Sequence, residues 1–262
     1  MNSDPAAGED APIPEPIRWT WVGAGVVLGS ALIGVFVYLV DPQLQKPAAT
    51  ALLVTLTLTL TGILVGYRSP GETIRETAIV GVILAILTAV VLTAFLGIRI
   101  PVVAWLLSPF YAATMAMAGG WVGELLQGTL DEAYDDKAVD WPWVFVSVII
   151  GFTLSAYLIF LGKALFDMGA VATLAVFAAS FLLTGWIVGF FSLGVTIVEP
   201  AIAAGLMVVL DSAFVVLWLE RMPSLQGILV AMFASVLLAL LGGWLGEKTQ
   251  PAREGRHVSR VG

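Results

Sequence analysis

Two features of this 262-residue sequence predict an all-α, polytopic integral membrane bundle of eight transmembrane helices, arranged as two parallel four-helix repeats. The composition is 59% hydrophobic and only 12% charged, whereas charged residues make up about 25% of a typical soluble domain. Segment 60–79 recurs 123 residues later as 183–202, with twelve of twenty positions identical. Segment 119–124 recurs at the same offset as 242–247. The shared offset indicates a tandem duplication.

Eight apolar runs supply the predicted spans, because each holds about the twenty residues that a helix needs to cross a hydrocarbon core. They lie near 19–40, 47–67, 76–98, 102–127, 142–163, 168–190, 199–219 and 226–247. Four spans per half return the chain to the same side, which predicts parallel repeats about a pseudo-twofold axis along the membrane normal. The alternating threonines from Thr55 to Thr61 fit a helix if they bond to the carbonyls four residues earlier.

The apolar runs divide the chain into five parts. These are an acidic tail over 1–18, membrane repeat 1 over 19–127, an acidic linker over 128–141, membrane repeat 2 over 142–247 and a charged C-terminal tail over 248–262. The N-terminal tail has the composition of a disordered segment and lacks the positive start of a secretory signal. The linker lacks the ligand spacing and glycine of an EF-hand loop, so we expect a solvated connection, with divalent-cation binding as the alternative.

Charge and residue usage exclude several classes of function. A formal net charge of −7 argues against nucleic-acid binding. The chain has no cysteine, and its one histidine, His257, lies in the C-terminal tail. Thiol chemistry, a histidine-rich metal site and a Ser-His-Asp triad in the membrane are therefore excluded. We expect no enzyme activity and no cofactor; the expected partner is the lipid bilayer, with a homo-oligomer or another membrane protein as further alternatives.

The distribution of basic residues predicts the orientation. Eight lie on the side of the termini: Arg18, Arg68, Arg75, Lys137, Lys248, Arg253, Arg256 and Arg260. Four lie on the other side: Lys46, Arg99, Lys163 and Arg221. Because cytoplasmic segments carry the excess of lysine and arginine, both termini of this multi-pass protein are predicted to be cytoplasmic, in the cell membrane.

Small residues spaced four apart occur at corresponding places in both halves. They are Gly25 and Gly29, Ser147 and Gly151, Gly62 and Gly66, Gly185 and Gly189, Gly119 and Gly123, and Gly242 and Gly246. This spacing places both small residues on one helix face and lets two backbones approach closely in lipid. We therefore predict helix-packing contacts, with a backbone-lined pore as the alternative.

Two threonine–glutamate pairs match a capping box at the start of the third helix of each half: Thr73 with Glu76, and Thr196 with Glu199. In a capping box, the glutamate bonds the backbone N–H of the threonine three residues before it. Pro200 offers a second reading of the later copy, in which Glu199 itself caps the helix.

Glu124 and Glu247 lie at the C-terminal end of the fourth helix of each half, where a negative charge opposes the helix dipole. One interpretation is a salt bridge to Arg68, Arg75 or Lys248. The other is a cytoplasmic vestibule in which Glu76, Glu124, Glu199 and Glu247 surround the axis and attract cations.

Asp211 lies near the middle of the seventh predicted span, where a charge is costly. It is expected to be neutral, paired or facing water. Its counterpart at the 123-residue offset is Thr88, and near a twofold axis the two could form a hydrogen bond. The alternative is a proton- or cation-coupling site at Asp211.

Segment 192–202, with the sequence SLGVTIVEPAI, resembles an S-P-G-x-T-I-x-E-P-A-I stretch of uncharacterised multipass membrane proteins of archaea and bacteria. The earlier copy keeps Pro70 but has Thr77, and the later copy has Leu193 but keeps Pro200. The resemblance covers about a dozen residues per repeat, and the acidic composition resembles halophilic members. It implies a prokaryotic membrane protein and no particular activity.

Two classes of function fit these observations. The first is a small-solute or ion transporter or channel, favoured by the duplication, the paired glutamates and Asp211. The second is a non-transporting membrane scaffold or regulatory module, favoured by the scarcity of polar residues within the spans, since a pathway for a polar solute needs several of them.

Overall fold

The computed structural model describes residues 16–39, 47–70, 73–94, 101–127, 139–166, 168–192, 198–219 and 224–249. The tails and most of the linker lie outside these residues, as do His257, Thr196, Arg99 and Arg221. The expectations for the two tails, for cation binding by the linker and for the capping role of Thr196 therefore stay predictions.

The described residues form eight α-helices, and the prediction of an all-helical, membrane-type bundle is confirmed. They are α1 Trp19–Leu39, α2 Pro47–Arg68, α3 Ile74–Ala94, α4 Val102–Gln127, α5 Trp141–Phe166, α6 Ala170–Phe191, α7 Val198–Leu219 and α8 Leu225–Thr249. Six of these helices, α2 to α6 and α8, are long and apolar enough within the described residues to cross a membrane. The described apolar stretch of α1 is shorter, Trp19–Val35.

The threonine run lies in the middle of α2 and is helical, as predicted. The hydroxyl groups of Thr55, Thr57 and Thr59 donate to the carbonyl oxygens four residues earlier at 2.7, 2.9 and 3.0 Å. These bonds satisfy the hydroxyl hydrogen inside the helix, so the alternating pattern does not produce a strand.

Close backbone contacts join α2 to α4 and α6 to α8. A Cβ atom built on Gly62 would lie 2.9 Å from the carbonyl carbon of Ala116, and one on Gly185 would lie 3.0 Å from that of Ala239. The two contacts are related by the 123-residue offset. In lipid such close approach supplies dispersion contacts and is open only to small residues.

The same correspondence holds for the other small residues of these helices. Gly66 meets Gly120 and Gly189 meets Gly243; Gly119 meets Thr59 and Gly242 meets Leu182; Gly123 meets Ile63 and Gly246 meets Trp186. On the first helix of each half, Gly29 faces Leu84 and Thr61, and Gly151 faces their counterparts Met207 and Thr184. Gly25 packs against the side chains of Val65 and Val80.

The two halves meet largely through α5, which packs on α2 and α4 of the first half as well as on α6 and α7 of its own. The Trp121 ring of α4 also packs edge-on against the Phe191 ring of α6. The helix equivalent to α5 is α1, and it packs on α2 and α3 but not on α6 or α8. The predicted pseudo-twofold arrangement is therefore wrong for this contact. The physical reason is side-chain size, because Phe152 of α5 fills the space beside Tyr111, whereas a shift of 122 residues puts Ser30 at that position of α1.

Candidate functional site: buried carboxyl groups at one end of the bundle

Glu76 lies in the first turn of α3 and is 5% exposed. Its Oε1 atom accepts a hydrogen bond from the backbone N–H of Arg18 at 3.1 Å. The carbonyl oxygen of Arg18 accepts from Trp21 and Val22, so Arg18 is the N-cap residue of α1. Glu76 therefore satisfies a free N–H at the start of another helix, where the positive end of the dipole stabilises its charge.

Glu199 makes the equivalent contact in the second half. It is 4% exposed, and its Oε1 atom accepts from the backbone N–H of Asp140 at 3.0 Å. Asp140 is the N-cap residue of α5, since its carbonyl oxygen accepts from Val144. The offset from Glu76 to Glu199 is 123 residues and that from Arg18 to Asp140 is 122. In both halves a glutamate thus bonds the N-cap residue of another helix. That N-cap residue is basic in the first half, Arg18, and acidic in the second, Asp140.

The second carboxylate oxygen is unsatisfied in both copies. The Oε2 atoms of Glu76 and Glu199 are buried and have no hydrogen-bond partner among the described residues. The hydroxyl oxygen of Ser69, which is fully buried at the end of α2, shares this property. Buried polar atoms are nearly always bonded in folded proteins, so these oxygens call for a partner that the described residues do not supply.

Glu124 lies near the end of α4, is 2% exposed, and contacts the start of α3. Its Oε1 atom accepts hydrogen bonds from the backbone N–H of Thr73 and, at 2.8 Å, from the Thr73 hydroxyl group. The capping-box prediction is therefore wrong for the first copy, because Glu124 rather than Glu76 bonds the Thr73 N–H. The N-terminus of α3 also compensates the unfavourable interaction between the Glu124 charge and the dipole of α4.

Glu247, the counterpart of Glu124, is half-buried near the end of α8. The residue equivalent to Thr73 is Thr196, which lies outside the described residues. Next to Glu247 in the chain, the Lys248 ammonium lies over the Trp244 ring, 3.8 Å from the ring centroid. This is a cation–π contact at the end of a helix, where a positive charge also favours the dipole.

The four glutamates do not form a cation cluster of the ordinary kind. Three are buried, and their contacts are with helix N-termini of their own half. Within the described ranges no three acidic or histidine side chains are close enough to hold a metal ion. Helix capping accounts for the observed contacts, and the vestibule stays a prediction.

Asp211 is half-buried, and no hydrogen bond joins it to Thr88 or to another residue in the described part of the chain. The predicted contact with Thr88 is wrong because their helices, α3 and α7, do not pack together. Asp211 follows Met207 and Val208 by one turn, on the face of α7 that belongs to the second core cluster. A carboxyl group thus lies beside an apolar core at mid-span.

Two groups of polar contacts were missed by reasoning from the sequence. The first is the use of Arg18 and Asp140 as backbone donors, which the offset of 122 residues could have indicated. The second is a polar cluster at Thr55 of α2. The Tyr111 hydroxyl group of the same half bonds the Thr55 hydroxyl group, and Tyr157 of the second half donates to the Thr55 carbonyl oxygen at 3.3 Å. Tyrosine alone gives no such signal, since it is also common at membrane interfaces.

Comparison of the chain with protein-family models, with curated proteins and with solved structures finds no match. Several apolar helices define the class, a multi-pass integral membrane protein. Any finer assignment must come from the chain's own contacts.

Proposed function

We propose that this protein is a transporter for a small ion or solute, in a prokaryotic cell membrane, built from two parallel four-helix repeats with eight spans and cytoplasmic termini. The repeat is supported by glycine contacts that recur at one offset on α2 with α4 and on α6 with α8. The acidic composition and the resemblance of segment 192–202 support the prokaryotic, halophilic setting. Transport is supported by the buried carboxyl groups.

The single observation that carries the transport proposal is the unsatisfied Oε2 atom in both Glu76 and Glu199. A carboxylate oxygen that is buried without a hydrogen bond is costly, and a bound cation offsets that cost. Binding and release of a cation at this oxygen is the proposed coupling step. Glu199 is the better coupling site, because Asp140 at its N-cap contact adds a negative charge where the first half has Arg18.

Flux measurements on the protein in liposomes test this assignment, with protons, monovalent cations and small metabolites as the panel. Glu199→Gln keeps an acceptor for the Asp140 N–H but removes the negative charge that would bind a cation, so we expect it to abolish coupled flux. Glu76→Gln is the matched variant and should retain most of it. Asp211→Asn removes a carboxyl group at mid-span; full flux in this variant would make Asp211 a structural residue. Equal loss in the two glutamate variants would contradict the assignment to Glu199.

A second candidate is a non-transporting scaffold or regulatory module. It is favoured by the hydroxyl groups of Thr55, Thr57 and Thr59 on α2, which bond to carbonyl oxygens of their own helix. This candidate predicts that no solute of the panel crosses liposomes containing the native protein.

The topology has a separate test, because the chain has no cysteine. Leu126 and Phe166 are 64% and 76% exposed, and Thr249 is also exposed. With parallel repeats, Leu126→Cys and Thr249→Cys should react with an impermeant maleimide from the cytoplasmic side, and Phe166→Cys from the opposite side. Labelling of Leu126→Cys and Thr249→Cys from different sides would exclude parallel repeats.

A further inference from the structure

Three buried serines lie on three helices of the second half. Ser155 of α5, Ser180 of α6 and Ser235 of α8 are 3%, 0% and 2% exposed. Ser155 donates to the hydroxyl oxygen of Ser180 at 2.7 Å, and Ser180 donates to the carbonyl oxygen of Phe177 at 2.7 Å. Ser235 donates to the carbonyl oxygen of Met232 at 2.9 Å. Each hydroxyl hydrogen is therefore used, while the oxygens of Ser155 and Ser235 accept no hydrogen bond from the described residues.

Asp211 of α7 lies at the depth of Ser155. A Cβ atom built on Gly151 would lie 2.6 Å from the methyl carbon of Met207, so α5 and α7 are in contact at that level. The two helices run in the same direction, because the cap contact described above joins their N-terminal ends. Ser155 follows Gly151 by one helical turn, and Asp211 follows Met207 by one turn. The carboxyl group thus lies one turn beyond the contact, on the side of α7 that meets α5.

Ser235 lies at the same depth on α8. Ala239 of α8 meets Gly185 of α6, and the series of close contacts between these helices shows that they run in the same direction. Ser235 comes one turn before Ala239, and Ser180 comes slightly more than one turn before Gly185. We call Ser155, Ser180, Asp211 and Ser235 the polar layer.

The carboxyl group of the polar layer has no counterpart in the first half. The shifts of 122 and 123 residues that relate the halves put Ile33, Thr57, Thr88 and Ala112 at its four positions. Two of these residues carry a hydroxyl group and none carries a charge. The packing of a four-helix repeat therefore does not require a carboxyl group at this depth.

The sequence offers Asp211 no basic partner at mid-span. Ranges 164–220 and 222–247 contain neither lysine nor arginine, and Lys163 is exposed on α5 two turns beyond Ser155. An ionised carboxylate without a partner is costly at mid-span, and the neighbouring serine oxygens are acceptors. We propose that the polar layer binds a dehydrated alkali-metal cation between Asp211 and the serine oxygens.

The ligand groups favour a cation of single charge. One carboxylate balances one positive charge, whereas a divalent cation would leave a net charge inside the membrane. Carboxylate and hydroxyl oxygens are the ligands that hard cations prefer. A cation also holds its ligand oxygens farther apart than a direct hydrogen bond does, and no hydrogen bond joins Asp211 to these serines in the described part of the chain.

The polar layer is separate from the Glu199 contact of the proposed function. Asp211 follows Glu199 by twelve residues, which is about 18 Å along a helix. Cation binding at the layer therefore requires neither Glu199 nor transport, and it is measured on the purified protein.

Thermal unfolding in detergent tests the site, with lithium, sodium, potassium and choline chloride at equal ionic strength. A cation that binds only the folded protein raises the unfolding temperature until the site is filled. We expect the native protein and Glu199→Gln to unfold at a higher temperature in at least one alkali chloride than in choline chloride. Adding Asp211→Asn to Glu199→Gln should remove this difference. The matched control, Thr173→Val, removes a hydroxyl group from α6 two turns before Ser180 and should retain it.

Equal unfolding temperatures of the native protein in all four chlorides would overturn the proposal, as expected if Asp211 carries a proton. A difference that survives in Glu199→Gln/Asp211→Asn would also overturn it. So would a difference that Glu199→Gln alone removes, although that result would leave the proposed function in place. If the double variant does not fold, Ser155→Ala in the Glu199→Gln protein decides, because it removes one ligand oxygen. It should raise the cation concentration at half effect several-fold, and an unchanged concentration would contradict the site.

Discussion

Replacing Gly62 by alanine is expected to lower the thermal unfolding temperature in detergent, and Gly185→Ala should do the same. The added methyl group would meet the backbone of Ala116 or Ala239, which cannot rotate away as a side chain could. The helices must separate, and overpacking of this kind costs about 1–3 kcal/mol. Leucine at either position should cost more.

The matched control is Gly205→Ala on α7, where an added Cβ atom meets nothing within 4 Å. Alanine favours a helix over glycine by about 1 kcal/mol, so this variant should be neutral or slightly stabilised. Leu64→Ile, a change on the exposed side of α2, should also be nearly neutral. Equal unfolding temperatures for Gly62→Ala and Gly205→Ala would show that α2 and α4 do not approach closely.

Loss of the Glu124 carboxylate should destabilise the first half more than any other change to a charged residue described here. Glu124→Ala leaves the N–H and hydroxyl groups of Thr73 buried without this acceptor, and a hydrogen bond to a charged group is worth about 1.5–3 kcal/mol. Removing a charge that opposes the dipole of α4 recovers only about 0.3–1 kcal/mol. The net loss should be about 2 kcal/mol or more, measured as a shift in unfolding in detergent.

Two variants separate the role of this carboxylate from that of its helix. Glu124→Gln keeps an oxygen acceptor and should lose about half as much stability. Leu126→Ala, two residues later on an exposed side chain, should change little. Hydrogen exchange should locate the effect at the Thr73 and Ile74 amides. An unchanged exchange rate there in Glu124→Ala would contradict the capping contact.

The helices could be predicted from the sequence because each apolar run matches the thickness of a bilayer, a physical requirement that acts on every span. The glycine contacts could be predicted because Gly62 and Gly66 recur as Gly185 and Gly189 with a spacing that fixes the helix face. Both arguments use what the two halves have in common.

The contact between the halves depends on what they do not share. Phe152 of α5 and Ser30 of α1 occupy corresponding positions, and only the larger side chain fills the space beside Tyr111. The repeat in the sequence therefore suggested a pseudo-twofold symmetry that the helix packing does not follow. The partners of Glu76 and Glu124 were also missed, because a local pattern points to the nearest free N–H. The bonded groups lie 58 and 51 residues away in the chain.

The caps that reach across 58 and 59 residues impose an order on biogenesis. When α1 leaves the ribosome, the backbone N–H of Arg18 at its start must bond to water or to lipid headgroups. Its later partner, Glu76, lies on α3, two helices further along the chain. This N–H becomes satisfied once α3 enters the bilayer, and α4 then brings Glu124 to the start of α3. No residue of the second half is needed for either step. The translocon can thus release a first half in which the N–H groups of Arg18 and Thr73 are already bonded, while α5 is still to be synthesised.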